Sequence, residues 1–304
     1  MRPRAALFDV HGLFLREYRG EVWVGTLICL MEELGFSPEA VRVALSRMVS
    51  HGWLTSRRIG RKSYYALTER SRRRQDEAAA RIFAPEDGKW DGRWRILTYS
   101  VPEGRRADRD RLRRELTWLG FGPLSNSTWI SPTPLFERAR EVLEAQGLKE
   151  YVALFTAEHH GPVADLRLAE KCWDLAAINQ QYGQFIGSVR PRLSAARQRR
   201  HPLPDNACFA EQVRLVHEFR KFLFIDPGLP ASLLPRDWRG HEARRLFRDY
   251  FDLLSPGSTR FFVAAFAAAP DRPQDQAALL AWLRRAARAA RPHALRTSLS
   301  GVSR

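Results

Sequence analysis

The stretch from Val41 to Arg70, VRVALSRMVSHGWLTSRRIGRKSYYALTER, leaves the chain few ways to fold there. Val41, Ala44, Leu45 and Met48 recur at i, i+3, i+4 and i+7, so they share one face of a helix. Ser37 is placed to cap that helix, and Pro38 suits its first turn. Gly52 ends it. Two β-prone runs follow, Trp53–Arg58 and Lys62–Leu67, joined by a tight turn at Ile59, Gly60 and Arg61. The opposite helix face carries Glu39, Arg42, Val43, Ser46, Arg47 and Ser50. The hairpin carries Arg57, Arg58, Arg61 and Lys62.

A rigid exposed helix beside a cationic hairpin is how a winged helix-turn-helix grips duplex DNA. The helix meets base edges and the wing meets phosphates. The competing reading is a helix and hairpin packed into an ordinary core, with solvated charges. Between Arg57 and Arg74, however, eight basic residues stand against one acid, Glu69. Such a concentration repels itself unless it meets an anion.

The rest of the composition agrees. A net charge of +16 and a pI near 10.7 favour a polyanionic partner. Nucleic acid is the natural candidate and an acidic membrane surface the weaker one. No apolar run is long enough to span a bilayer, which takes about 20 residues. The opening MRPRAALFDVHGLF is basic then apolar, but Asp9 and His11 interrupt it, so it reads as a first helix and not a signal peptide. Cys29, Cys172 and Cys208 are widely spaced and odd in number. That pattern suits a reducing, cytoplasmic setting with neither a disulfide frame nor a zinc site.

The chain of 304 residues is long enough for two or three domains. Residues 1–85 read as the winged helix unit: helices over Ala5–Glu17 and Trp23–Leu34, the helix and wing above, and a helix from Thr68 to Arg81. Residues 84–88 (APEDG) make a turn-rich break. Residues 88–161 read in the order βαββαβ, with strands at Arg95–Val101, Phe121–Leu124, Thr128–Ile130 and Glu150–Thr156. Helices at Asp108–Leu119 and Pro134–Gln146 lie between them, which is the order of a ferredoxin-like fold. Residues 162–267 read as all-helical, with helices at Asp165–Val189, Asn206–Ile225 and His241–Leu254. In residues 268–304 seven Arg stand against two Asp, giving an Ala/Arg-rich basic tail with a candidate helix at Gln276–Ala290. The expected class is a multidomain α+β protein.

At this point the chain resembles the PaaX family of bacterial repressors of phenylacetate catabolism. Three segments carry the likeness: VRVALSRMVSHGWL with GRKSYYALTE, WDGRWRILTYSVPE with RDRLRRELTWLGFG, and LVHEFRKFLFIDPGLPASLLPRDWRGHEA. The resemblance implies a cytoplasmic, dimeric DNA-binding repressor. Its effector would be an aryl-CoA thioester such as phenylacetyl-CoA, and its middle domain would be Cas2-like. Cas2 nucleases hold a metal with an Asp at the end of the first strand; here the residue after Tyr99 is Ser100. A Ser is a poor anchor for a hard divalent cation, so the domain reads as structural or dimerising.

Other clusters divide between function and packing. His217, Glu218 and Arg220 lie within one helical turn, upstream of Asp226 and Pro227. They read either as the polar side of an effector pocket, with His217, Arg220, Phe222 and Asp226 around the ligand, or as an internal network tying this helix to the next loop. Arg suits a phosphate because its planar fork donates two parallel hydrogen bonds. His159 and His160 read as a surface turn, since no third ligand lies near in sequence. Most tryptophans read as packing. No catalytic motif, cofactor motif or metal motif emerges, so the expectation is a regulator and not an enzyme. A homodimer on operator DNA is the expected assembly, with no membrane partner. The rivals are a Cas2-like nuclease, disfavoured by Ser100, and a non-specific architectural DNA binder driven by the tail.

Overall fold

The computed structural model describes residues 1–16, 18, 20–83 and 89–268. The basic tail and its candidate helix at Gln276–Ala290 lie outside the described residues. By internal contacts the chain forms two compact units. The first holds residues 1–83, 187–219 and 244 onward; the second holds 84–186 and 220–243.

The first unit begins with α1 (Pro3–Val10), prolonged by a π-helical turn at His11–Leu15. The short strand β1 (Val22–Trp23) follows, then α2 (Val24–Glu32), α3 (Pro38–Ser50), β2 (Leu54–Ile59), β3 (Lys62–Leu67) and α4 (Glu69–Ile82). The expected caps are in place: Ser37 Oγ accepts from the Ala40 N–H, and Thr68 Oγ1 from the Ser71 N–H. The two expected hairpin strands gain a third, because β1 pairs with β3 and gives the order β1-β3-β2. The helix expected from Trp23 thus starts one residue later.

Two long C-terminal helices complete this unit, α9 (Asp205–Phe219) and α10 (Gly240–Ala267, from residue 244 on). Phe209, Val213, Phe262 and Phe266 share one buried cluster with Leu7, Val10, Leu30, Val41, Leu45 and Met48. The Phe14 ring stacks on Phe262 at 4.7 Å and tilts against Phe209 at 5.3 Å. The buried Asp9 carboxylate meets His217 Nδ1 at 2.7 Å. The helix expected to stop at Leu254 runs on through Pro256. Proline removes one helical hydrogen bond, but the continuation buries Phe262 and Phe266, and that gain offsets the loss.

The second unit contains β4 (Trp94–Tyr99), α5 (Arg106–Leu119), β5 (Gly122–Pro123), β6 (Thr128–Ser131), α6 (Phe136–Ala145) and β7 (Val152–Ala157). The all-antiparallel sheet has the order β5-β6-β4-β7, the ferredoxin-like arrangement that the βαββαβ reading requires. Leu97, Leu112, Leu116, Phe121, Trp129 and Leu143 form its core.

The helix expected over Asp165–Val189 is two helices, α7 (Asp165–Cys172) and α8 (Leu175–Gln198). Trp173 takes an extended backbone between them, and Asp174 caps α8 by accepting the Ala177 N–H at 2.9 Å. The indole is the reason for the break. It seats against Gly122, where an added Cβ would come within 2.5 Å of the ring, and it stacks on Trp94. The helix expected over Asn206–Ile225 stops at Phe219 and tightens to a 3-10 turn at Arg220–Phe224. Residues 162–267, read from the sequence as one helical part, contribute to both contact units. Helix α8 itself is shared, belonging to the second unit up to Ile186 and to the first from Gly187.

Two predictions follow from the first unit. Phe209→Ala removes a fully buried ring from the shared cluster and should cost about 3–5 kcal/mol. Chemical denaturation should show it lowering the stability of the unit that carries α3, although position 209 lies far along the chain. The second concerns His11, fully buried, whose Nδ1 donates to the Leu7 carbonyl at 2.7 Å. Burial holds its imidazole down to about 4. An unfolded chain takes up that proton near pH 6.5, so unfolding gains protons between about 6.5 and 4. Stability attributable to this neutral His is complete above pH 6.5 and falls as pH drops towards 4, by on the order of 3 kcal/mol in full. His11→Phe should flatten that part of the curve; urea midpoints for the two proteins that fall in parallel with pH would reject it.

Candidate nucleic-acid interface

Helix α3 turns Val41, Ala44, Leu45 and Met48 into the core. Glu39, Arg42, Val43, Ser46, Arg47 and Ser50 are all exposed, so the spacing sorted the two faces as expected. Val43 is 51% exposed, an apolar side chain among polar ones. Arg42 faces Glu39 at 3.9 Å, a loose pair at the surface. Among the described residues the Arg47 guanidinium has no carboxylate partner.

The hairpin is a two-residue connection, with Ile59 paired to Lys62. Gly60 takes φ +56, the positive value that the first loop position of such a tight hairpin demands. Strand β2 lies at the sheet edge, and all of its residues after Leu54 are exposed.

The four hairpin cations differ in their surroundings. Arg57 donates from Nε to both oxygens of Glu21, at 2.8 and 3.0 Å. That bidentate pair raises its already high pKa, the hydrogen bond to Glu21 being the main cause. Arg58 donates from Nε to the Gly60 carbonyl at 3.1 Å and braces the turn. Lys62 is half-buried, and Arg61, at the tip of the turn, is exposed. Glu21 lies 36 residues before Arg57, on the loop entering β1, and no local pattern announces it. Trp53, partly buried against Phe8 ahead of β2, carries the Arg70 guanidinium over its ring at 4.9 Å.

The residues expected around an effector divide between the units. His217 belongs to the first and is committed to Asp9; its neighbour Glu218 receives Arg192 at 2.8 Å. Arg220, Phe222 and Asp226 belong to the second. Phe222 is buried and stacked on Tyr182 at 3.9 Å. Asp226 is buried, accepting from the Tyr182 hydroxyl and from the Gly228 N–H. This part of the cluster thus takes the form of internal networks, tied to Asp9, Arg192 and Tyr182. His159 faces Asp165 at 3.1 Å and His160 is exposed, as a surface turn would have them. Ser100, just past β4, is exposed.

Comparison with known proteins gives the same order of parts. Residues 2–71 match the model of the PaaX-like protein family, residues 87–169 that of the PaaX protein central Cas2-like domain, and residues 173–264 that of the PaaX-like protein C-terminal domain. The chain is 34% identical over 259 residues to the transcriptional repressor PaaX of Escherichia coli K12, covering 83% of this chain and 80% of that one. Among solved structures, an uncharacterized protein from Mycobacterium tuberculosis matches with a TM-score of 0.52 and 25% identity, over 84% of this chain and 96% of that one.

The pairing of Arg57 predicts unequal roles for the wing cations. Against random-sequence duplex, Arg61→Ala should lower the dependence of log affinity on log salt by about one unit. Arg57→Ala should lower it by less, because Glu21 already matches that charge. Equal slopes for the two variants, measured by fluorescence anisotropy, would show that Glu21 does not attenuate Arg57.

Proposed function

The chain belongs to the PaaX family, and on that footing we propose that it is a sequence-specific, DNA-binding transcriptional repressor. The observation that carries this reading is the exposed face of α3, six side chains able to meet base edges beside a hairpin tipped by Arg61. The likeness to a named transcriptional repressor of E. coli supports it. The first unit acts as a winged helix. Arg42 and Arg47 suit guanine edges, Ser46 suits either kind of base pair, and Val43 suits a thymine methyl group. Glu39 and Ser50 lie at the two ends of this face, and Arg57, Arg58, Arg61 and Lys62 form the wing.

The protein regulates and does not catalyse; Cas2-like names only the fold of the middle domain. Ser100, where a nuclease of that fold would keep a carboxylate, agrees with this. The regulated genes are those of an aromatic-acid catabolic operon of the phenylacetate kind. The effector is an aryl-CoA thioester such as phenylacetyl-CoA, which releases the repressor by binding its DNA-free form more tightly. The working form is a homodimer on a two-fold operator, since a symmetric pair doubles the few base contacts one short helix offers. No described helix is long and apolar enough to cross a membrane, and the protein acts in the cytoplasm.

The test begins with the DNA that copurifies with the protein. Its operator should be preferred over random duplex by roughly 10³ or more. Arg42→Ala and Arg47→Ala should each erode that preference by about 1–3 kcal/mol, while Arg61→Ala weakens all sequences alike. Light scattering should give a dimer on the operator, and phenylacetyl-CoA should release it. A chain that binds random and selected duplex equally would instead be an architectural binder.

A further inference from the structure

Arg199 and Arg200 lie in the loop between α8 and α9, inside the first unit and just past the end of α8. From residue 175 to residue 204 the chain holds five Arg and no acid. Acids from elsewhere in the fold meet part of this charge. Arg192 joins Glu211 and Glu218, and Arg197, in the last turn of α8, joins Asp249 at 3.0 Å. The acid that opens α9, Asp205, is held by Arg260 through both oxygens, at 2.6 and 2.9 Å. Arg199 and Arg200 are exposed, and among the described residues neither has a carboxylate partner. A cation in the last turn of a helix offsets the negative end of its dipole. Arg197 already fills that place, so the pair beyond Gln198 is more than the helix end needs.

The fold brings this loop beside the start of α3. Asn206, at the beginning of α9, donates from its side-chain amide to Glu33 Oε2 at 3.1 Å. Glu33 follows the last turn of α2, and the chain passes from it through Gly35 to Ser37, the cap of α3. Beneath that contact Phe209 shares the cluster that buries Leu34 and Val41, with Phe36 packed against it. The first turns of α9 are thus fixed at the end of α3 where its exposed face begins. Fully extended, the segment from Arg200 to Asn206 spans at most about 20 Å. A duplex carries one backbone charge per about 1.7 Å of its axis. Several phosphates flanking a groove that receives α3 therefore lie within reach of the loop.

We propose that Arg199 and Arg200 form a second phosphate clamp, holding the DNA backbone beside the turn between α2 and α3, separately from the hairpin tipped by Arg61. The proposal rests on the DNA-binding reading above. Two exposed guanidiniums on a loop form no enclosed pocket for a small anion; the ligand they suit is an extended array of phosphates, each able to take a planar fork. The loop is not a helix or ribbon that could enter a groove, so the contact adds affinity and fixes orientation without reading bases.

Fluorescence anisotropy on the full chain, over a salt series, tests the clamp with random-sequence duplex and with the copurified operator. Changing both residues, Arg199→Ser with Arg200→Ser, should lower the slope of log affinity against log salt by about two units on either duplex. The ratio of operator affinity to random affinity should not change. Arg199→Lys with Arg200→Lys should keep most of the slope, because a lysine still meets a phosphate as a point charge. Removing two exposed arginines from α5 instead, Arg106→Ser with Arg114→Ser, should leave the slope nearly as it was. A wild-type slope in the loop Ser variant would overturn the clamp and leave the DNA reading intact. An equal fall in the α5 variant would also overturn it, since net charge alone would then set the slope. A drop in the operator-to-random ratio of the loop Ser variant would overturn its assignment to the backbone. A wild-type chain that binds neither duplex at low salt would overturn the DNA reading itself.

Discussion

The packing of α9 against α1 is the contact on which the first unit depends. Helix α3 needs a floor for Val41, Leu45 and Met48, and that floor is one cluster with Leu7, Val10, Phe209 and Val213. Two polar features fix the register of the contact. Asp9 is a buried carboxylate, costly without a partner, and His217 supplies one. On the outer side of α9, Arg192 joins Glu211 and Glu218, and Tyr250 donates to Glu211, so α8, α9 and α10 are tied together. The face of α3 proposed to read DNA is thus held in place by residues far along the chain.

The same separation of matched from unmatched charge runs through the molecule. With a net charge of +16, many cations lack an acid, but which ones lack it is decided locally. Arg105 pairs with Asp108, Arg260 with Asp205, Arg192 with Glu211 and Arg57 with Glu21. Such pairs remove a cation from the pool that attracts phosphate. Arg47 and Arg61 are left exposed on the α3 and hairpin surface. Net charge alone describes the partner class; the distribution of acids decides where that partner is met.

In the second unit, backbone closeness replaces charge as the organising constraint. Gly120 and Gly122 flank Phe121 at the start of β5, and each admits a neighbour that a side chain would repel. Trp173 and Pro227 take those places, which breaks the long helix into α7 and α8.

Much of this was legible in the sequence, and the reason is local. Period-3.6 spacing sorts α3 into a buried and an exposed face without reference to the rest of the chain, and all six outward residues are where the spacing put them. Gly60, Ser37 and Thr68 act through their immediate neighbours, so turn and caps could be read directly. The βαββαβ order was enough for the sheet, because few topologies satisfy it. What tertiary structure alone decided are the contacts between distant segments: Glu21 with Arg57, Asp9 with His217, Phe209 and Phe262 on Phe14, and Trp173 on Gly122. Each joins residues whose own surroundings predict a helix face or a solvated charge. Periodicity shows that a side chain will be buried; it does not show which surface will bury it. The helices after residue 186 are the clearest case: their apolar stripes are plain in the sequence, but their division between two units follows from the partner surfaces that complementary shape and charge made available.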